Sequence, residues 1–273
     1  MENKVLFQFA GFLNTRQIWK ENKFPYQPYH LKQAPISKLP RTLEFSPSMV
    51  LGKRMELFFQ YYVTHFSHEE VLAHNEQVIF EKKTLGELDF ILKNSISGEI
   101  SHVELVYKFY LFDPEIRGDR ACWIGPNRRD SFPEKLKRLQ NNQFPLLHQK
   151  ETLPLLDRLK IDPSEVTQKI CFKANLFLPK NWDEKMNFSE INPDAVSGFW
   201  IKASEFTKVD YGNALFHSPK KPDWPIDPRH NQVWESFEEV LPKISGLLSR
   251  EQSPLVWMKK GDDLYERFFI VWW

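Results

Sequence analysis

The sequence predicts an α/β fold in which a mixed sheet is flanked by helices, with elaborations at both ends. Three observations predict it. A helical apolar stripe runs from about residue 46 to 63, three strand-like runs follow it, and helical segments then lead to a long apolar strand, QKICFKANLFLP. Helix, three strands, helix, strand is an order that a short antiparallel meander and a helical crossover can satisfy.

Residues 1–45 begin with a short apolar helix and continue as the stretch FPYQPYHLKQAPISKLPRTLEF. Pro25, Pro28, Pro35 and Pro40 break regular structure there, which predicts an arm wrapping the core. Ser46 then suits a helix N-cap and Pro47 the first helical position. Val50, Leu51, Met55, Phe58, Phe59 and Val63 form the apolar stripe of that helix, and Glu56 lies close to it. Residues 71–81 make the first strand, and the strands around Asp89 and Glu104 complete a meander through the turn SISGEIS. A loop, a helix over residues 132–140 and a second helix near 150–160 precede the strand QKICFKANLFLP.

From about residue 180 the character changes. Seven of the nine tryptophans lie in this last third, FWIKASEF and YERFFIVWW read as strands, and WESFEEVLPKISGLL reads as a helix between them. Prolines 219, 222, 225 and 228 mark a loop. The expected organisation is an arm (1–45), a core (46–180) and a tryptophan-rich extension packed on the core (181–273), or a small second domain in its place. Tryptophan serves as core filler or as a stacking platform for bases, and both readings stay open.

Composition narrows the function. At 273 residues, 41% hydrophobic and 15% aromatic, the chain can bury a sizeable core. A net charge of +1 makes no global electrostatic case for nucleic acid, so such binding needs a local patch. Cys122 and Cys171 are far apart, without zinc-site spacing, and read as reduced thiols. No stretch approaches the roughly 20 apolar residues of a membrane span, and MENKVLFQFAGFL lacks a long apolar run, so a soluble, cytoplasmic protein is expected. P-loop, Rossmann and serine-hydrolase motifs are missing from the sequence.

Residues 86–112, GELDFILKNSISGEISHVELVYKFYLF, carry the most chemistry. Side chains two apart on a strand share a face, so Glu87 joins Asp89, and His102, Glu104, Val106 and Lys108 line up on the next strand. Carboxylates are rarely buried without a partner, because desolvating an unpaired charge is costly. A divalent metal beside a lysine explains two acids and a lysine in the middle of a hairpin. A same-face Glu104–Lys108 ion pair on an exposed sheet is the plain structural alternative.

GELDFIL and HVELVYKFYL resemble two motif strands of the PD-(D/E)XK nuclease superfamily. The resemblance implies a restriction-endonuclease-like core, with Asp89 and Glu104 as ligands of Mg²⁺ or Mn²⁺ and Glu56 as the supporting acid from the preceding helix. The superfamily's lysine usually follows the acid by two residues. Here Val106 holds that place and Lys108 comes two residues later, about 7 Å further along the strand. HVELVYKFYL and WIGPNRRDSFPEKL also resemble the bacterial family known as domain of unknown function 1853, which implies the same core without naming a substrate.

Phosphodiester hydrolysis fits such a set. A metal neutralises charge developing on phosphate and lowers the pKa of a bound water, and Mg²⁺ needs few protein carboxylates because it keeps several waters. Lys108 would stabilise the transition state or position the nucleophile, with Glu87 and His102 in support. His102 also reads as an ordinary hydrogen-bonded histidine at a strand start, and Glu56 as a solvated helix glutamate. Residues 115–138 hold Arg117, Arg120, Arg128, Arg129, Lys135, Lys137 and Arg138 against Glu115, Asp119, Asp130 and Glu134. Arg128, Arg129, Lys135 and Arg138 are the candidate phosphate contacts, and the Gly125-Pro126-Asn127 turn is a candidate amide cradle. The sequence thus predicts a Mg²⁺-dependent nuclease acting on DNA or RNA. A catalytically inactive nucleic-acid-binding or protein-interaction module on the same fold is the alternative.

Overall fold

A computed structural model of the chain describes residues 2–20, 26–32, 34, 45–46, 49–118, 120, 122–182 and 188–273. Pro25, Pro35, Pro40 and Pro47, with Asp119 of the charged loop, lie outside the described residues. The chain opens with α1 (Glu2–Asn14), β1 (Gln27–Pro28) and α2 (Leu51–Phe66). Three long strands follow, β2 (Glu69–Phe80), β3 (Lys83–Asn94) and β4 (Ile100–Phe112), then the short β5 (Trp123–Ile124). A helical run comes next as α3 (Phe132–Arg138), a π turn (Leu139–Gln143) and α4 (Phe144–Leu146), followed by α5 (Leu153–Leu159) and β6 (Val166–Pro179). The last third holds β7 (Val196–Lys202), α6 (Lys208–Tyr211), β8 (Leu215–His217), α7 (Phe237–Leu248), β9 (Leu255–Lys260) and β10 (Leu264–Val271). Parallel and antiparallel pairings together make the class mixed α/β.

The chain divides into two compact units that interleave in sequence. One comprises Trp19–Tyr107 and Glu134–Lys173, the other Met1–Ile18, Lys108–Pro133 and Ala174–Trp273.

In the first of these, α2 buries Leu51, Met55, Phe58, Phe59, Tyr62 and Val63, and the Phe59 ring lies 4.7 Å from that of Phe90 on β3. The helix starts later than its serine suggests. Val50 is the N-cap and lacks a capping side chain, while the Ser46 carbonyl closes a turn with the Met49 amide at 3.0 Å. A serine five residues ahead of the first helical residue closes the turn instead of capping the helix, and Val50 itself stays 67% exposed. β2 and β3 form an antiparallel pair whose turn uses Glu81 and Lys82 at positive φ, the geometry a two-residue hairpin requires. β3 and β4 are antiparallel as well, joined through residues 95–99. There the Asn94 side chain accepts from the Ile96 and Ser97 amides and Gly98 takes φ 77°. β1 adds in parallel to the start of β6. Ala73, Val78, Leu88, Ile91, Leu146, Leu147, Leu156 and Ile161 form a core here, shared by strands and the helices after Glu134.

In the other unit, β6 pairs in parallel with β7 and β7 with β10, and β9 and β8 then add antiparallel. Gly198 permits this, since a Cβ there would stand 2.0 Å from the Arg267 carbonyl oxygen on β10. α7 carries a Ser236–Glu239 capping box and buries Phe237, Val240 and Ile244 against Phe216, Val256, Phe268 and Ile270. The tryptophans act as filler. Trp200, Trp224 and Trp257 are buried, and Trp182, Trp234, Trp272 and Trp273 are partly buried. Cys122 and Cys171 are both buried, and burial raises the pKa of the Cys171 thiol to about 11. Among the described residues, no helix is long and apolar enough to cross a membrane.

Candidate active site

Asp89 and Glu104 meet where two strands stop pairing. The β3–β4 ladder runs from Lys93↔Ile100 to Phe90↔Val103, and the next opposed pair in that register is Asp89 and Glu104. Opposed residues of an antiparallel pair face the same side, so the register juxtaposes the two carboxylates. Beyond the last ladder pair, Asp89 Oδ2 accepts the Leu105 amide at 2.9 Å. A carboxylate thus takes over a backbone donor at the point where the strands part. Glu104 is fully buried and Asp89 is 9% exposed. Burial, and then the neighbouring Glu104 charge, hold the Asp89 carboxyl well above its ordinary pKa. The Leu105 amide pulls it back down, Glu56 pushes it up again, and Lys135 lowers it.

Glu104 is fixed by neutral donors. His102 Nε2 lies 3.0 Å from Oε1, and the Gln143 amide donates to Oε2. The Gln168 amide nitrogen, anchored 2.7 Å from the Phe144 carbonyl, also lies 3.3 Å from His102 Nδ1. That makes Nδ1 an acceptor and leaves the ring proton on Nε2 for Glu104, so His102 is a neutral donor in this pattern. Gln143 is held from its other side by Lys135, whose Nζ donates to Oε1 at 2.7 Å.

The helix acid stands in a second, wetter cluster. Glu56 Oε2 accepts from Asn75 Nδ2 at 2.8 Å and pairs with Lys53 at 2.9 Å, and Lys53 also meets Glu87 at 2.7 Å. Although partial burial opposes its charge, the Glu87 and Glu56 carboxylates raise the Lys53 pKa. His74 stacks on Phe90 with ring centroids 4.5 Å apart, and burial lowers its pKa. Asn75, between the pairs His74↔Phe90 and Glu76↔Leu88, is the β2 residue opposite Asp89 and takes φ 54°. Its Oδ1 is buried without a hydrogen-bond donor. Asn75, Asp89 and Glu104 therefore form one cross-strand row on three strands. The oxygen donors of this row suit a hard cation such as Mg²⁺. Among the described residues, no three His, Cys, Asp or Glu side chains converge as a ready-made metal cluster. Glu56 is turned to Lys53 and Asn75, which leaves Asp89 and Glu104 as the paired acids.

Other expected site residues lie elsewhere. Lys108 belongs to the other unit and pairs with Asp130 at 2.5 Å, so the Glu104–Lys108 ion pair allowed by strand alternation is not the contact formed. Arg128 bonds Asp113 at 2.7 Å and lies 4.3 Å over the Trp273 ring. Arg129 and Arg138 are exposed, in different units. The Gly125–Arg128 turn forms as expected, but it serves the packing. The Pro126 carbonyl accepts from Ser253 and Trp273, and Asn127 Oδ1 accepts the Ser253 amide. Residue patterns missed Lys53, Asn75, Gln143 and Gln168. The i,i+3 spacing of Lys53 to Glu56 was the legible signal. The polar run LQNNQ inside a helical stretch was another.

No curated protein and no solved structure matches this chain. A family match does, spanning residues 11–271. The chain therefore belongs to the family described as Domain of unknown function (DUF1853).

Proposed function

We propose that this chain is a Mg²⁺-dependent nuclease on a PD-(D/E)XK, restriction-endonuclease-like core, hydrolysing phosphodiester bonds of DNA or RNA. One observation carries the reading: Asp89 and Glu104 are buried as an opposed pair at the opening of a β-hairpin, and every donor to Glu104 described above is neutral. Two adjacent carboxylates in a desolvated place repel each other until a proton or a cation joins them. An oxygen-only donor set suits Mg²⁺ or Mn²⁺. Asp89 and Glu104 would hold the ion, with Asn75 Oδ1 in the same cross-strand row and Glu56 bonded to the Asn75 amide nitrogen. When bound, the ion supplies charge neutralisation at phosphate and an acidified water. His102 and Gln143 fix the Glu104 carboxylate, Gln168 fixes the His102 tautomer, and Lys53 balances the Glu56 and Glu87 charges.

A second reading has its own support. With Lys108 paired to Asp130 and no ready-made three-ligand cluster among the described residues, a module that binds nucleic acid or protein without cleaving also fits. Incubation with single- and double-stranded DNA and RNA in Mg²⁺ or Mn²⁺ separates the two. The nuclease reading expects metal-dependent products that vanish in Glu104→Gln. Intact substrates throughout, with wild-type protein, refute it.

A further inference from the structure

We propose that the ammonium group of the catalytic centre is Lys135, supplied by the helix after the meander, and not Lys108 of the strand. This rests on the nuclease reading above and names the residue that would fill the motif lysine's role.

Lys108 ends on the Asp130 carboxylate, and Lys53 is shared between Glu56 and Glu87. Lys135 instead reaches the acids through an amide: its Nζ donates to Gln143 Oε1, and the Gln143 nitrogen donates to Glu104 Oε2. That contact brings a positive charge toward the buried acids.

The backbone explains why an eight-residue separation works. On a regular helix, positions seven apart share a face, because two turns take about 7.2 residues. The π turn at Leu139–Gln143 widens one of those turns, so Lys135 and Gln143 come onto one face at a spacing of eight. Wide turns of this kind recur at functional sites because they re-aim a side chain without breaking the helix. Here the aim falls on Glu104.

In the reaction, a water oxygen forms a bond to phosphorus and the bond from phosphorus to the leaving ester oxygen breaks. The attacking water gives one proton to solvent, and the leaving oxygen takes one from solvent. Lys135 stays an ammonium throughout and stabilises the charge that builds on the phosphate oxygens.

The test uses the full chain with Mg²⁺ or Mn²⁺ and labelled DNA and RNA oligonucleotides. Lys135→Gln keeps a donor for Gln143 but loses the charge. It should fold, bind Mn²⁺ as wild type does and lose at least about tenfold in kcat with little change in KM, a barrier rise of about 1.4 kcal/mol. Lys135→Arg should recover part of that loss, and Lys108→Met should stay within about twofold of wild type. Wild-type kcat in Lys135→Gln overturns the assignment while leaving the nuclease reading intact, as does loss of activity in Lys108→Met alone. A Lys135→Gln chain that loses Mn²⁺ binding or folding points to a structural lysine and also overturns it. Absence of cleavage by wild type on every substrate removes the nuclease reading, and this assignment falls with it.

Discussion

Asp89 carries the tension of the site at the scale of one residue. Its carboxylate is buried beside Glu104, and both burial and that neighbour favour the protonated form. An acid whose folded pKa is raised adds stability below its unfolded pKa, near 3.9, and loses that contribution as pH rises through the folded value. Near neutral pH without metal, an ionised Asp89 therefore works against the fold. Asp89→Asn keeps an oxygen for the Leu105 amide and cannot ionise. It should melt at least about 2 °C higher than wild type at pH 7.5 in chelator, the shift that roughly 1 kcal/mol gives in a chain of this size. The gain should shrink as pH falls toward 4. Thermal melts across that range check it, and a variant equally destabilised at every pH would mean that the carboxylate is structural. Glu56 stands beside Lys53 and Asn75, which offset its charge without a metal ion.

Between residue and fold, the helical run after Glu134 decides how Glu104 is held. Gln143 sits at the end of the π turn and joins Lys135 to the Glu104 carboxylate. Gln143→Leu leaves a fully buried carboxylate oxygen short of a donor, which costs about 1–3 kcal/mol. Its melting temperature should fall where that of Asp89→Asn rises. A melt unchanged from wild type would mean that the amide does not carry Glu104. This element also shows what residue patterns could not convey. The meander was legible because alternation fixes which side chains share a face, and the opposed placement of Asp89 and Glu104 followed from it. The helix over residues 132–140 was legible too, and it forms as Phe132–Arg138. Its continuation through a π turn was not, because one inserted residue changes the facing of Gln143 without altering composition. The start of α2 was misread for a related reason: Ser46 and Pro47 look like a cap, but the Ser46 carbonyl closes the preceding turn. β8 and β9 were missed because LFH is short and LVWMKK is nearly continuously apolar, so neither shows a period-2 signal.

For the molecule as a whole, the interleaved units explain why the lysine departure could not be resolved from spacing. Strand alternation is continuous along β4, so it places Lys108 on the face of Glu104. On β4 the compact unit of the acids stops at Tyr107, however, and Lys108 finds Asp130 within the other unit. The acids draw their nearby lysines from α2 and α3, from Lys53 and Lys135. The central claim is that the buried acid pair exists to hold a divalent cation. Calorimetric titration of metal-free protein with Mn²⁺ at pH 7.5, on wild type, Asp89→Asn and Glu104→Gln, tests it most directly. The account predicts saturable binding by wild type and its loss in both variants, each still folded by circular dichroism, because an amide removes the charge while keeping the volume. Wild-type protein that takes up no Mn²⁺, or either variant binding as wild type does, would contradict it.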